Sequence, residues 1–363
     1  MVQYNMRKFF VGTILLLSLA ISYGQGNLFT LEDAVLNRKL YPTSLGNVQF
    51  LPSGKYYCFT PQQGNALFIE RIDKITTDSS ISINVINEGL KKIGVKALNR
   101  FPSIWWITDD EFMFMWEQSF FTYDRTLKSV ALHMQFPENY EHIEWNNQKN
   151  ACVFSRNHNL YLLVKGKGEL QITTDGGKGI VYGETVHRSE FGITKGVFWN
   201  ANGNRFAFYR MDERAVTDYA IFNNNQMPAS VNLIKYPFAG KASHSVKVGI
   251  YDLGLQAYHY LRVEGPSDQY LTNLSWSPDG NFVYLAKVSR NQKNMWLERY
   301  WARDGAIDMV VAEEFNEKYV EPENPVYFLP WDSTLFLWQS ERDGYNHIYL
   351  YNIRGKLVKQ LTS

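Results

Sequence analysis

The chain has 363 residues, of which 45% are hydrophobic and 20% charged, with 37 Lys and Arg balanced by 36 Asp and Glu. Such a composition excludes a disordered tail and a bundle of membrane helices. A formal net charge of +1 provides no concentrated basic face, so neither nucleic acid nor an anionic membrane surface is expected as a partner.

In chain order, Arg7 and Lys8 precede an apolar stretch from Phe9 to Ile21, followed by Ser22, Tyr23, Gly24 and Gln25. Small residues stand at the two positions a signal peptidase reads, which predicts a signal peptide over residues 1–24 and an exported protein: periplasmic, cell-surface or extracellular. The apolar run is too short for a membrane span, which takes about 20 residues. Residues 25–45 form an N-terminal helical segment in this reading. Leu28–Lys39 opens on Thr30, Leu31, Glu32 and Asp33, a start able to cap a short helix, and it is the only convincing helix after the signal.

From residue 46 the pattern changes to short runs of β-branched and aromatic residues broken by Asn, Asp, Gly and Pro. A phrase recurs: an aromatic, a few turn residues, then an alternating apolar run. Its anchors are Phe50, Trp106, Trp145, Trp199, Trp276 and Phe328. Each phrase predicts a strand ending on the aromatic, a tight turn and the next strand of a hairpin. Intervals of roughly 40 to 75 residues suit the blades of a propeller. The fold expected is all-β, a β-propeller with about six recognisable blades over residues 46–363, and the long interval between Trp199 and Trp276 holds an insertion. Stacked sandwiches would space their strands more evenly.

Familiar catalytic motifs do not appear. There is no G-x-S-x-G elbow and no H-E-x-x-H among the seven histidines, so neither a catalytic residue nor a metal site nor a cofactor is expected. Cys58 and Cys152 lie far apart inside apolar runs and are expected to be buried thiols. The carboxylate pairs Asp109/Asp110, Asp212/Glu213 and Glu313/Glu314 are expected to be solvated. A polar, charged stretch between Ile180 and Trp199, holding Glu184 and Glu190, interrupts two apolar runs and predicts a projecting loop.

Read in order, Ser189–Gly192 (SEFG), Trp199–Gly203 (WNANG), Phe208–Glu213 (FYRMDE), Tyr236–Gly240 (YPFAG), Val248–Asp252 (VGIYD), Leu274–Asp279 (LSWSPD) and Glu341–Tyr351 (ERDGYNHIYLY) resemble the N-terminal region of the dipeptidyl peptidase IV family, and are most similar to its bacterial prolyl tripeptidyl peptidases. The resemblance implies a secreted or surface serine exopeptidase of the prolyl oligopeptidase type. It further implies an eight-bladed propeller joined to a C-terminal α/β-hydrolase domain carrying Ser, Asp and His, a homodimer, and peptide substrates with Pro near the amino terminus. Family dipeptidyl peptidases bind the substrate ammonium with two adjacent Glu. Here Glu190 matches the second and Ser189 stands at the first, a departure that fits tripeptide release; Glu184 is the alternative anchor if the loop alignment shifts. An Arg that holds the substrate carbonyl in the family falls near Gln135 and is not carried over. Arg210, Asp212, Arg342 and Asp343 match family motifs and are expected in ion pairs. The hydrolase domain and two blades are absent before Ser363, so the resemblance implies a truncated propeller, inactive alone. The other reading is a stand-alone exported propeller that binds peptides or a protein.

Overall fold

The computed structural model describes residues 30–36, 45–61, 64–74, 77–146 and 150–363. The expected signal peptide and most of the N-terminal helical segment lie outside these residues. What is described there is a helical turn at Glu32–Leu36, and Thr30 Oγ1 accepts the Asp33 N–H at 3.0 Å, as the capping pattern implies.

The fold is an all-β propeller built of antiparallel sheets that follow one another along the chain. The first contains β1 (Leu45–Phe50), β2 (Tyr56–Pro61), β3 (Ala66–Arg71) and β4 (Thr77–Ser82), and is followed by the helix α1 (Ile83–Lys92). The second contains β5 (Ile104–Trp106), β6 (Glu111–Trp116), β7 (Ser119–Asp124) and β8 (Ser129–Gln135); the third β9 (Glu141–Asn146), β10 (Ala151–Arg156), β11 (Asn159–Val164) and β12 (Gly168–Gln171). In the fourth, β13 (Ile180–Tyr182) and β14 (Val197–Trp199) both pair with β15 (Arg205–Asp212). A separate ribbon of β16 (Asp218–Asn223) and β17 (Ser230–Lys235) precedes the fourth sheet's last strands, β18 (Ser245–Asp252) and β19 (Ala257–Tyr260). The fifth sheet is β20 (Tyr270–Trp276), β21 (Phe282–Val288), β22 (Asn294–Trp301) and β23 (Ile307–Phe315), and the sixth β24 (Tyr327–Leu329), β25 (Asp332–Ser340), β26 (His347–Asn352) and β27 (Leu357–Gln360). All six anchoring aromatics end, or nearly end, the first strand of a sheet's opening hairpin. Part of the turn after Trp145 lies outside the described residues.

Among the described residues two compact units are present, one made of those up to Trp116 with Thr122–Ala131, the other of Glu117–Phe121 with those from Leu132 to Ser363. In the first, α1 starts at Ser82, whose hydroxyl accepts the Asn84 N–H at 3.2 Å, and buries Ile83, Ile86 and Leu90. This helix is not among the elements that the sequence pattern predicts. Its β-branched Ile83, Val85 and Ile86 imitate a strand, while the spacing of the buried residues is helical. In the second unit three cores each lie between consecutive sheets, because a blade covers its two faces only by stacking.

The recurring Trp has a physical role beyond its bulk. Trp199 Nε1 donates to the Glu144 carbonyl at 3.2 Å, and Trp276 Nε1 donates to the Phe198 carbonyl at 2.9 Å. Each acceptor stands one residue before the preceding anchor, so the indoles link successive blades by the same bond. Trp276→Phe keeps most of the ring but removes the donor. It is expected to cost about 1–2 kcal/mol, read as a lower urea midpoint with an unchanged slope; an unchanged midpoint would refute the linking role.

Candidate functional site

The first strand of the fourth sheet is split. β13 and β14 share one neighbour, and residues 183–196 leave the sheet between them, forming the loop that the polar interruption predicts. Glu184 and Glu190 both stand on it, in different surroundings.

Glu190 is exposed between two buried residues. On one side, His187 (3% exposed) is clamped: its Nε2 accepts the Leu271 N–H at 3.0 Å, and its Nδ1 lies 2.9 Å from Nε2 of His244, itself 5% exposed. The backbone N–H can only donate, so His187 carries its proton on Nδ1 and gives that hydrogen bond to His244. Burial, the neighbouring imidazole and Arg290 hold His187 well below the ordinary histidine range. Burial, then Arg290 and Arg188, bring His244 down to about 4. On the other side, Phe191 packs against Tyr270 with ring centroids 4.9 Å apart, and its carbonyl accepts from Thr272 Oγ1 at 3.3 Å and Asn273 Nδ2 at 3.2 Å. His187, Arg188, Ser189 and Phe191 all have positive φ, between 53° and 62°. Such a run is costly for residues with a Cβ and persists where the surroundings hold it. Gly192 follows at φ 68°, where a Cβ would stand 2.0 Å from the Glu323 carbonyl oxygen. Only glycine lets the loop approach the segment between β23 and β24 this closely.

That approach brings the Glu190 charge within reach of Glu321. Glu321, Glu323 and Glu341 line a cavity of about 210 Å³. Desolvation, then the charges of Glu323, Glu190 and Glu341, raise the Glu321 carboxyl above its ordinary range. Of the cations at the cavity, Arg342 is engaged by Glu314 at 2.8 Å and by the Tyr351 hydroxyl, and Lys318 is the other. Carboxylates therefore outnumber cations, and the arrangement suits an ammonium group. Glu314 corrects the expectation of a solvated charge: its side chain is 7% exposed, and it accepts from Trp338 Nε1, Ser340 Oγ and Arg342 Nη2 at 2.7–2.8 Å. Ser189 borders a different cavity of about 330 Å³, beside Arg188 and Glu213.

Glu184 faces the third sheet. His158 Nδ1 lies 3.1 Å from Glu184 Oε1, and His142 Nε2 lies 3.7 Å from Oε2. Desolvation raises the Glu213 carboxyl, with the Glu184 charge adding to it. The remaining motif residues are in polar contacts: Arg210 lies 3.7 Å from both Asp175 and Asp212, Asp212 binds Arg214 at 2.6 Å, and Asp343 accepts from Gln360 at 2.9 Å. Cys58 and Cys152 are both free and buried. No helix among the described residues is long and apolar enough to cross a membrane. Nothing local in the sequence marks the His187–His244 pair or the nearness of Glu321 to Glu190.

The profile of the family described as the dipeptidyl peptidase IV N-terminal region matches residues 102–363. Probable dipeptidyl-aminopeptidase B of Coccidioides posadasii (strain C735) is 25% identical over 231 residues, covering 56% of this chain and 25% of that protein. Its counterpart in Talaromyces marneffei is 30% identical over 158 residues, covering 38% and 18%. Among solved structures, a Bacteroides ovatus ATCC 8483 protein assigned as a dipeptidyl aminopeptidase IV superposes with a TM-score of 0.80 at 33% identity, over 92% of this chain and 49% of that one. Porphyromonas gingivalis dipeptidyl peptidase 4 shares the fold, with a TM-score of 0.75 at 19% identity over 93% and 49%. The chain thus matches 18–25% of the length of these curated relatives and about half that of the solved chains.

Proposed function

Because the chain belongs to the dipeptidyl peptidase IV N-terminal region family, we propose that it is the propeller portion of an exported, Pro-specific serine exopeptidase. In this reading it gates access to the site and holds the free amino terminus of the peptide through Glu190. The nucleophile comes from an α/β-hydrolase domain outside these residues. The observation that carries the reading is the mounting of Glu190: an exposed carboxylate on a loop held by buried His187 and Phe191, with its charge felt by the Glu321 carboxyl. A carboxylate at a fixed place measures the distance from the peptide amine to the scissile bond, so it counts residues. Ser189 in place of a second Glu favours peptides that present Pro third rather than second.

The test is titration of the chain with X-X-Pro and X-Pro peptides, each with a free and an acetylated amino terminus. Free peptides are expected to bind more tightly than acetylated ones, and the chain joined to its hydrolase domain is expected to release tripeptides from X-X-Pro substrates. Equal binding of free and acetylated forms would end the amine-anchor reading, and release of dipeptides by the joined protein would end the tripeptide one.

A homodimer is part of the same proposal. The β16–β17 ribbon presents Phe222 (66% exposed) across from Val231, with Leu233 (61%) nearby. An apolar two-stranded ribbon with open edges is a surface a second copy can cover. Phe222→Asp is expected to shift the protein from dimer to monomer in sedimentation velocity at micromolar concentration. A wild-type monomer, or a variant that remains dimeric, would count against the ribbon.

A further inference from the structure

We propose that Glu141, His142 and Glu184 form a binding site for one divalent first-row transition ion, with Zn²⁺ as the probe, tying the third sheet to the start of the Glu190 loop. Their ligand atoms lie within 4.8 Å of one another. Two neighbouring residues of a regular strand point to opposite faces, so Glu141 and His142 could not ordinarily serve one ion. Here β9 carries a register shift opposite Val153 and Ser155, and His142 has φ 50°. A bulge re-aims side chains in this way, and it brings the consecutive carboxylate and imidazole together. Glu184 arrives from the other sheet. Its Oε2 stands 3.7 Å from His142 Nε2, too long for a hydrogen bond but close to the edge of about 3.4 Å that a tetrahedron with bonds of about 2.1 Å requires.

His158 supplies what a ligating carboxylate usually has, a partner that fixes its orientation. Its Nδ1–H donates to Glu184 Oε1 at 3.1 Å, leaving Oε2 for the ion. One imidazole and two carboxylates are a donor set of mixed nitrogen and oxygen, which suits Zn²⁺ or Mn²⁺ better than thiolate-seeking metals. Three protein ligands leave a fourth position for water. Linear spacing could not reveal the set, because 42 positions separate His142 from Glu184. Glu184 bound in this way is not available as a peptide anchor.

The experiment is calorimetric titration of the chain with Zn²⁺, paired with the visible absorption of added Co²⁺. One equivalent is expected to bind, with the Co²⁺ bands of a low-coordinate site. His142→Ala and Glu184→Gln are each expected to weaken binding at least tenfold, while His347→Ala, remote in sequence and in a different sheet, leaves it unchanged. Circular dichroism of each variant checks that it folds. No binding at millimolar Zn²⁺, or binding that His142→Ala and Glu184→Gln leave intact, would overturn the site.

Discussion

Acidification from pH 6.5 to pH 4 is expected to destabilise the protein by several kcal/mol, with His187 and His244 as principal sources. Both imidazoles are buried and neutral, and both have pKa values below the ordinary histidine value of about 6.5. Below pH 6.5 the unfolded chain takes up protons that the folded chain refuses, so stability falls as pH falls. For His244 the fall continues to about pH 4, which amounts to about 3 kcal/mol at a limiting slope of about 1.4 kcal/mol per pH unit. Geometry gives the same sign independently. Protonated His187 would place an N–H against the Leu271 N–H, and protonated His244 would turn an N–H toward that of His187. His133 and His259, also lowered chiefly by burial, add to the slope, whereas Glu213, whose carboxyl is raised, opposes it near the lower end. Asp212 and Asp252, held below the ordinary carboxylate value, contribute their losses only at still lower pH. Urea unfolding across this range measures the total, and His244→Gln isolates the pair, since the amide oxygen can accept from His187 without titrating. The variant is expected to lose up to one proton's worth of slope. An unchanged slope would mean that the pair is not the source.

Glu190→Gln is expected to abolish the chain's preference for peptides with a free amino terminus. A charge-assisted hydrogen bond from an ammonium to a carboxylate contributes about 1.5–3 kcal/mol, which corresponds to about tenfold to a hundredfold in affinity. The amide keeps the size and an acceptor oxygen but loses the charge, so the loss should appear for free peptides and not for acetylated ones. Buried His187 and Phe191 hold the backbone on either side, and the side chain itself is exposed, so stability should be unaffected. Glu184→Gln serves as the comparison. If that variant removes the preference while Glu190→Gln keeps it, the anchor is Glu184 and Glu190 is an ordinary loop carboxylate.

The blade phrase was legible in the sequence because its components are local. An aromatic, a turn and an alternating run specify a hairpin within about a dozen residues, and Trp199 and Trp276 end their strands as expected. The insertion between those anchors and the projecting loop at residues 183–196 were legible for the same reason, as breaks in a local pattern. Helix α1 was not, since three β-branched residues in its first turn obscured the helical spacing of Ile83, Ile86 and Leu90.

The sequence by itself thus determined the repeat, the fold class and the loop on which Glu190 stands. Tertiary structure alone decided the company each side chain keeps. His187 meets His244 from 57 positions away, Glu321 acquires the charge of Glu190 from 131 positions away, and Glu314 is enclosed by Trp338 and Arg342 of the next sheet. The physical reason is that periodicity records which face of a strand is apolar, whereas these contacts arise where one sheet stacks on the next. Stacking sets the distance between groups that share no local pattern, and those distances determine which imidazole stays neutral and which carboxylates gather.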